Sequence, residues 1–81
     1  MLYSEQIRAA RALLGWRQEQ LAQAAGIGLA TVQRIEQSPG MVRGNFSTVV
    51  KIQQALEQAG IRFIDNDESD GIGVRLQKPK R

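Results

Sequence analysis

Residues 24–36 read AAGIGLATVQRIE, and two glycines interrupt a stretch whose flanks keep helical spacing. Upstream, Leu21, Ala22 and Ala25 mark one helix face at three- and four-residue intervals; downstream, Val32 and Ile35 mark another. The chain must turn sharply between them. The segment RQEQLAQAAG, residues 17–26, reads as a short helix closed by Gly26 in the left-handed conformation, where having no Cβ is an advantage. A further short helix runs from about Gly28 to Gln37, and Pro39 in the following SPG forbids its continuation.

Two more helices flank this pair. Ser4 is placed to cap the first, whose Ile7, Ala10, Arg11 and Leu14 line one face until Gly15 stops it. Trp16, just past the stop, reads as a packing residue between the first two helices. Asn45 caps the fourth, in which Val49, Ile52, Leu56 and Ala59 form the cleanest apolar stripe of the chain before Gly60. Beyond residue 60 the composition changes. IRFI (61–64) and IGVRL (72–76) are short, rich in β-branched residues and alternating, and the polar DNDESDG (65–71) separates them. The expected architecture is mainly α: a compact four-helix body over residues 1–60, then a short β-hairpin or strand pair over 61–77. The tail KPKR, residues 78–81, has no apolar anchor and is expected to be mobile.

Composition narrows the function classes. Eighty-one residues suffice for one modest core and are too few for a second domain or a deep substrate pocket. Eleven Lys+Arg against eight Asp+Glu give a formal charge of +3 and a pI near 10, which suits a polyanionic partner. With no cysteine and no histidine, neither disulfides nor the usual zinc ligand sets are available, and no nucleophile–base constellation supports an enzyme. No cofactor or metal is expected. Glu5 and Arg8 precede any apolar run, so the N-terminus does not read as a signal peptide, and no segment approaches the apolar length of a membrane span. The expected setting is a reducing cytoplasm. The carboxylates of DNDESDG invite a calcium reading. Counted from Asp65, however, an EF-hand loop would need glycine and an acid where the chain has Asp70 and Leu76. A solvated turn accounts for them.

Two short helices joined by a three- or four-residue turn containing glycine form a helix-turn-helix when they cross steeply, which requires small residues where the backbones approach. Ala22, Ala25 and Gly26 meet that need, and Ile27, Val32 and Ile35 would fill the space beneath. The pattern Q-x-x-L-A-x-x-A-G-I followed by T-V-x-x-I-E, within RQEQLAQAAGIGLATVQRIEQ (17–37), resembles the Cro/XRE-type, phage-repressor-like helix-turn-helix family, and the resemblance extends over about residues 4–59. It implies a compact helical bundle, usually dimeric, that binds double-stranded DNA and regulates transcription from two-fold operators. Helix three would be the recognition helix, with Leu29, Ala30, Gln33, Arg34 and Gln37 turned toward the major groove and Gly28 and Thr31 in the same DNA-binding set. Gln18 corresponds to a position that contacts phosphate, Arg17 lies beside it, and Arg43 in MVRGN is placed to approach the backbone or minor groove. The resemblance also implies a structural ion pair between Arg11 and Glu36, fixing helix three against helix one.

The side chains fit these roles chemically. Arg34 suits the O6 and N7 of a guanine, Gln33 an adenine, and Leu29 or Ala30 a thymine methyl. A plain solvated helix face is the alternative for each. Three departures from the family pattern stand out. Arg17 replaces the usual Ser or Thr cap of helix two, leaving Gln20 to supply half of a capping box. Gly28 replaces the corresponding cap of helix three, and Leu and Ala stand where tight binders often present amides. Modest sequence discrimination is the expectation.

An isolated hairpin is marginal in water and exposes unpaired edges. The strands are therefore expected to pair with those of a second copy, burying Ile61, Phe63, Ile72, Val74 and Leu76 in a homodimer seam. Such a C2 dimer would set two recognition helices about 34 Å apart, as a palindromic site requires. The leading functional reading is a repressor that occludes a promoter. An antitoxin or anti-activator whose C-terminal strands bind a partner protein is the alternative, followed by a domain of this fold used only for protein contacts. With no ligand-sensing segment attached, control by concentration, proteolysis or a protein partner is expected over small-molecule induction.

Overall fold

The computed structural model describes residues 2–78, which form α1 (Ser4–Leu14), α2 (Gln18–Ala25), α3 (Leu29–Gln37), α4 (Phe46–Gln58), β1 (Ile61–Ile64) and β2 (Gly73–Leu76). Residues 79–81, most of the expected mobile tail, lie outside the described residues. The turns between the first three helices rest on left-handed glycines, Gly15 at φ 68° and Gly26 at φ 69°. A Cβ at either site would be strained by the backbone itself, whatever space surrounds it.

Helices α4 and α2 start for local reasons. Asn45 caps α4 with its side-chain oxygen, which accepts from the Ser47 and Thr48 N–H groups at 2.8 and 3.4 Å. At α2 the Gln20 side chain accepts from the Arg17 N–H at 2.7 Å, so the reciprocal half of the capping box stands although arginine occupies the cap. The first helix differs from the sequence expectation. Ser4 is its first helical residue, not its cap; Tyr3 holds that position in extended conformation. Two contacts impose the shift: Tyr3 forms a β-bridge with Met41, and the Ser4 N–H donates to the Gly40 carbonyl at 2.9 Å. The Ser4 N–H is thereby satisfied by the loop after α3, a partner no local pattern predicts.

The core lies where α1, α2, α3 and α4 converge. Ile7, Leu21, Val32, Ile52 and Leu56 are fully buried there, with Ala10, Ala22, Ile35 and Ala55 around them. Trp16, Ala25, Ile27 and Val49 pack against this centre from its margin, as their spacing in the sequence predicts.

The strands form a two-stranded antiparallel hairpin within the same chain, in the register Ile61↔Leu76, Arg62↔Arg75, Phe63↔Val74 and Ile64↔Gly73. Its strands lie against α1 and α4. Ile61 is fully buried and belongs to the core, and Phe63 and Val74 pack on it. The hairpin thus finds the surface it needs in its own protomer, which removes the physical reason for assigning these three side chains to an intermolecular seam. Strand β2 begins at Gly73, one residue later than expected; Ile72 is a half-buried loop residue, and Leu76 remains exposed at the rim.

Gln6 fastens the hairpin to α1. Its side chain, in a residue only 2% exposed, accepts from the Tyr3 N–H at 3.0 Å and donates to the carbonyls of Ile64 and Gly73 at 3.1 and 2.9 Å. One amide therefore ties the start of α1 to both strands where they enter the loop.

Candidate nucleic-acid interface

Helix α3 divides into two faces. Val32, Ile35 and Glu36 are buried, while Ala30, Gln33, Arg34 and Gln37 are exposed. Those exposed positions fall at i, i+3, i+4 and i+7, a single stripe along the outside of the helix. Leu29 and Thr31 are half-buried, and Leu29 packs against the core; the methyl-contact role expected of it is left mainly to Ala30. Gly28 is the exposed, extended N-cap, and its lack of a side chain leaves the first N–H groups of α3 uncovered.

Charge is partitioned along with burial. The single carboxylate of α3, Glu36, points inward at 5% exposure and is neutralised there. Arg11 grips it in two-pronged fashion, Nε donating to Oε2 at 2.7 Å and Nη2 to Oε1 at 2.6 Å, while Nη1 donates to the Trp16 carbonyl at 3.0 Å. The Arg11 guanidinium is held above its usual range, chiefly by the hydrogen bond to Glu36 and against the opposing effect of burial. The pair implied by the sequence resemblance is thus present, and it leaves the outer stripe of α3 with Arg34 as its charged residue.

Two further contacts lock α3 in place. The Arg8 guanidinium donates to the Glu36 carbonyl, and the Gln18 side chain donates to Glu36 Oε1 at 3.1 Å. Gln18 is half-buried and joined to this cluster; the backbone donors at the start of α2, which have no intrahelical acceptors, remain for an anion. Arg17 and Arg43 are exposed. Arg43 comes close to this outer stripe, since it and Arg34 line one cleft between the end of α3 and the loop leading to α4. The loop that follows α3 is itself held by Glu5, whose carboxylate accepts from the Gly40 N–H at 3.2 Å. Hydrogen bonds from its own backbone N–H and from that of Gly40 lower the Glu5 pKa.

Several residues acquire roles that the sequence did not signal. Gln6 holds the hairpin, Arg8 the end of α3 and Glu5 the Gly40 loop. Phe46, the first residue of α4, stands 81% exposed beside an apolar groove that includes Met41, Val42 and Val50. No rule of periodicity separates such a residue from the buried stripe of its helix. Among the described residues no helix is long and apolar enough to cross a membrane.

A family model described as Helix-turn-helix matches residues 7–59, which spans α1 through α4 together with the exposed stripe and the Arg11–Glu36 pair. No curated protein matches the chain.

Proposed function

The chain belongs to the Cro/XRE-type helix-turn-helix family of DNA-binding transcription regulators, and from that premise we propose that it is a repressor that binds, as a dimer, a two-fold symmetric operator and occludes a promoter. The observation that carries the reading is the outer stripe of α3. Ala30, Gln33, Arg34 and Gln37 lie exposed on one face, Arg43 flanks them, and the helix's own carboxylate is turned inward onto Arg11. A helix face without negative charge, presenting one arginine and two amides, suits the acceptor-rich edge of the major groove.

Within this reading Arg34 takes a guanine, Gln33 and Gln37 offer amides to adenine, and Ala30 meets a thymine methyl. Arg17, Arg43 and the free N–H groups at the starts of α2 and α3 hold phosphates and set the register. Phosphate contacts supply most of the affinity, so binding weakens steeply as salt rises. The protein works in the cytoplasm on chromosomal DNA, with occupancy set by its concentration.

Fluorescence-anisotropy titrations over a panel of single-base operator variants test the assignment. Arg34→Ala should cost about 1–3 kcal/mol on the preferred operator and relax preference at one base position, whereas Arg43→Ala should weaken all sequences alike and reduce the salt slope by about one. Equal loss on every sequence for Arg34→Ala would reduce it to a phosphate contact and remove the base-reading role.

A further inference from the structure

The pleat of the hairpin turns Ile61, Phe63, Val74 and Leu76 to one side, toward the helices, and Arg62, Ile64, Gly73 and Arg75 to the other. On that outer side Arg62 and Arg75 face each other directly across the strands. Directly opposed like charges destabilise a strand pair, and neither guanidinium meets a carboxylate among the described residues. Next to them Ile64 is 41% exposed. The arginines border two shallow hollows, one shared with Phe63 and Ile64 and the other with Leu76, Gln77 and Lys78.

The two ends of the hairpin carry opposite charge. Arg62, Arg75 and Lys78 lie toward its open end, and Asp65, Asp67, Glu68 and Asp70 lie in the loop at the other. Asp67 braces that loop from within: its Oδ1 accepts from the Ser69 and Asp70 N–H groups, both at 2.7 Å. Hydrogen bonds from Asp70 and Ser69 also lower its pKa and keep it ionised. Arg62 is two residues from the end of β1, so roughly 7 Å of strand separates the arginine pair from the loop.

We infer that the outer face of the hairpin is the seam between two copies of this chain, with Arg62 and Arg75 of each protomer seated against Glu68 and Asp70 in the loop of the other. The argument is self-complementarity. A two-fold axis lying in the interface, perpendicular to the strands and crossing near Ile64, lays the hairpins face to face and antiparallel. Each basic end then meets an acidic loop, each contact occurs twice, and the two Ile64 side chains meet at the centre. The parallel alternative stacks arginine on arginine. The seam rests on the dimeric reading proposed above and replaces the inward-facing side chains with the outward-facing ones.

Charge reversal tests it in the full-length protein, using residues whose exposure leaves the core intact. The wild type should sediment as a dimer at micromolar concentration. Arg62→Glu with Arg75→Glu, and separately Glu68→Lys with Asp70→Lys, should each raise the dimer dissociation constant by about 100-fold or more, with circular dichroism unchanged. Mixing the two variants should restore dimers that native mass spectrometry identifies as mixed. A monomeric wild type, dimers that persist in either variant, or a mixture that stays monomeric would overturn the seam. Persistent dimers would move the interface elsewhere, the Phe46 groove included. Intact dimers combined with a uniform loss of DNA affinity in the arginine variant would assign those arginines to phosphate instead. Monomeric variants should still prefer the operator half-site over scrambled DNA. Absence of that preference in wild type, with the charge-swap pairing intact, would remove the DNA reading and leave the seam standing.

Discussion

Replacing Arg11 by methionine keeps much of its aliphatic packing and removes the guanidinium from Glu36. The carboxylate it leaves behind is almost closed off, with a side chain 3% exposed, against 19% for that of Arg11. Of the donors that hold it, the Gln18 amide at 3.1 Å would remain. Breaking a buried pair from one side costs about 3–5 kcal/mol because the orphaned charge stays desolvated. For 81 residues the whole folding stability is of the order of 4–12 kcal/mol, so Arg11→Met should consume a large part of it and lower Tm by more than about 10 °C. Glu36→Gln should cost less, since the Arg11 it frees can turn toward water. Removing both charges with Arg11→Met and Glu36→Met should recover most of the loss, because a well-packed apolar pair of similar volume is often neutral. Urea unfolding of wild type, Arg11→Met, Glu36→Met and the double variant at constant m-value gives the coupling energy directly. A coupling below about 0.5 kcal/mol would place the pair with ordinary surface ion pairs and refute the claim that it pins α3 against α1.

Other expectations concern the parts that hold α3, its following loop and the hairpin. Gln6→Leu takes the acceptor from the Tyr3 N–H and removes the side-chain donor that the Ile64 and Gly73 carbonyls share; it should cost about 2 kcal/mol and speed amide exchange in both strands, and unchanged exchange would show that the amide is not the fastener. Deleting residues 61–81 removes Ile61 from the core, so the truncated chain should lose cooperative unfolding, and a stable folded fragment would contradict the packing described. The Glu5 pKa is depressed below its ordinary 4.5 by backbone N–H groups, so its contribution is full above that value and is lost as pH falls through the lower folded value. Wild type should accordingly lose more stability than Glu5→Gln on acidification below about pH 4.5, and identical pH profiles would remove the Glu5–Gly40 contact from the account.

The helical part of the fold was legible because its determinants are local. Gly26 and Gly15 stop helices through their own backbone preference, Asn45 caps through its own side chain, and Val32, Ile35, Ile52 and Leu56 follow the helical period into the core. The outer stripe of α3 is the complement of that buried period; the family resemblance, not spacing, singled out Ala30, Gln33, Arg34 and Gln37, and it included Leu29, which is half-buried. Determinants that cross the chain were invisible. Gln6 meets residues 58 and 67 positions away, and the start of α1 is set by Gly40 and Met41 rather than by Ser4.

The hairpin shows a different limit. Alternation marked its strands and grouped Ile61, Phe63, Val74 and Leu76 on one face, yet period two does not say whether that face meets its own helices or a second copy. The helices of the same chain claim it, and what remains for a partner is the face with the arginines. Gln18 stands between the two cases: its place at the start of α2 is as expected, but its side chain is spent on Glu36, so the proposed phosphate contact falls to the backbone donors there.

The central claim, that α3 reads a two-fold DNA site, is tested most directly by incubating the purified protein with a random duplex pool at about physiological salt and sequencing the retained fraction. The account predicts enrichment of a palindromic motif whose half-sites are about 34 Å, one helical turn, apart. Retention without any enriched motif, or enrichment of an asymmetric single site, would contradict it.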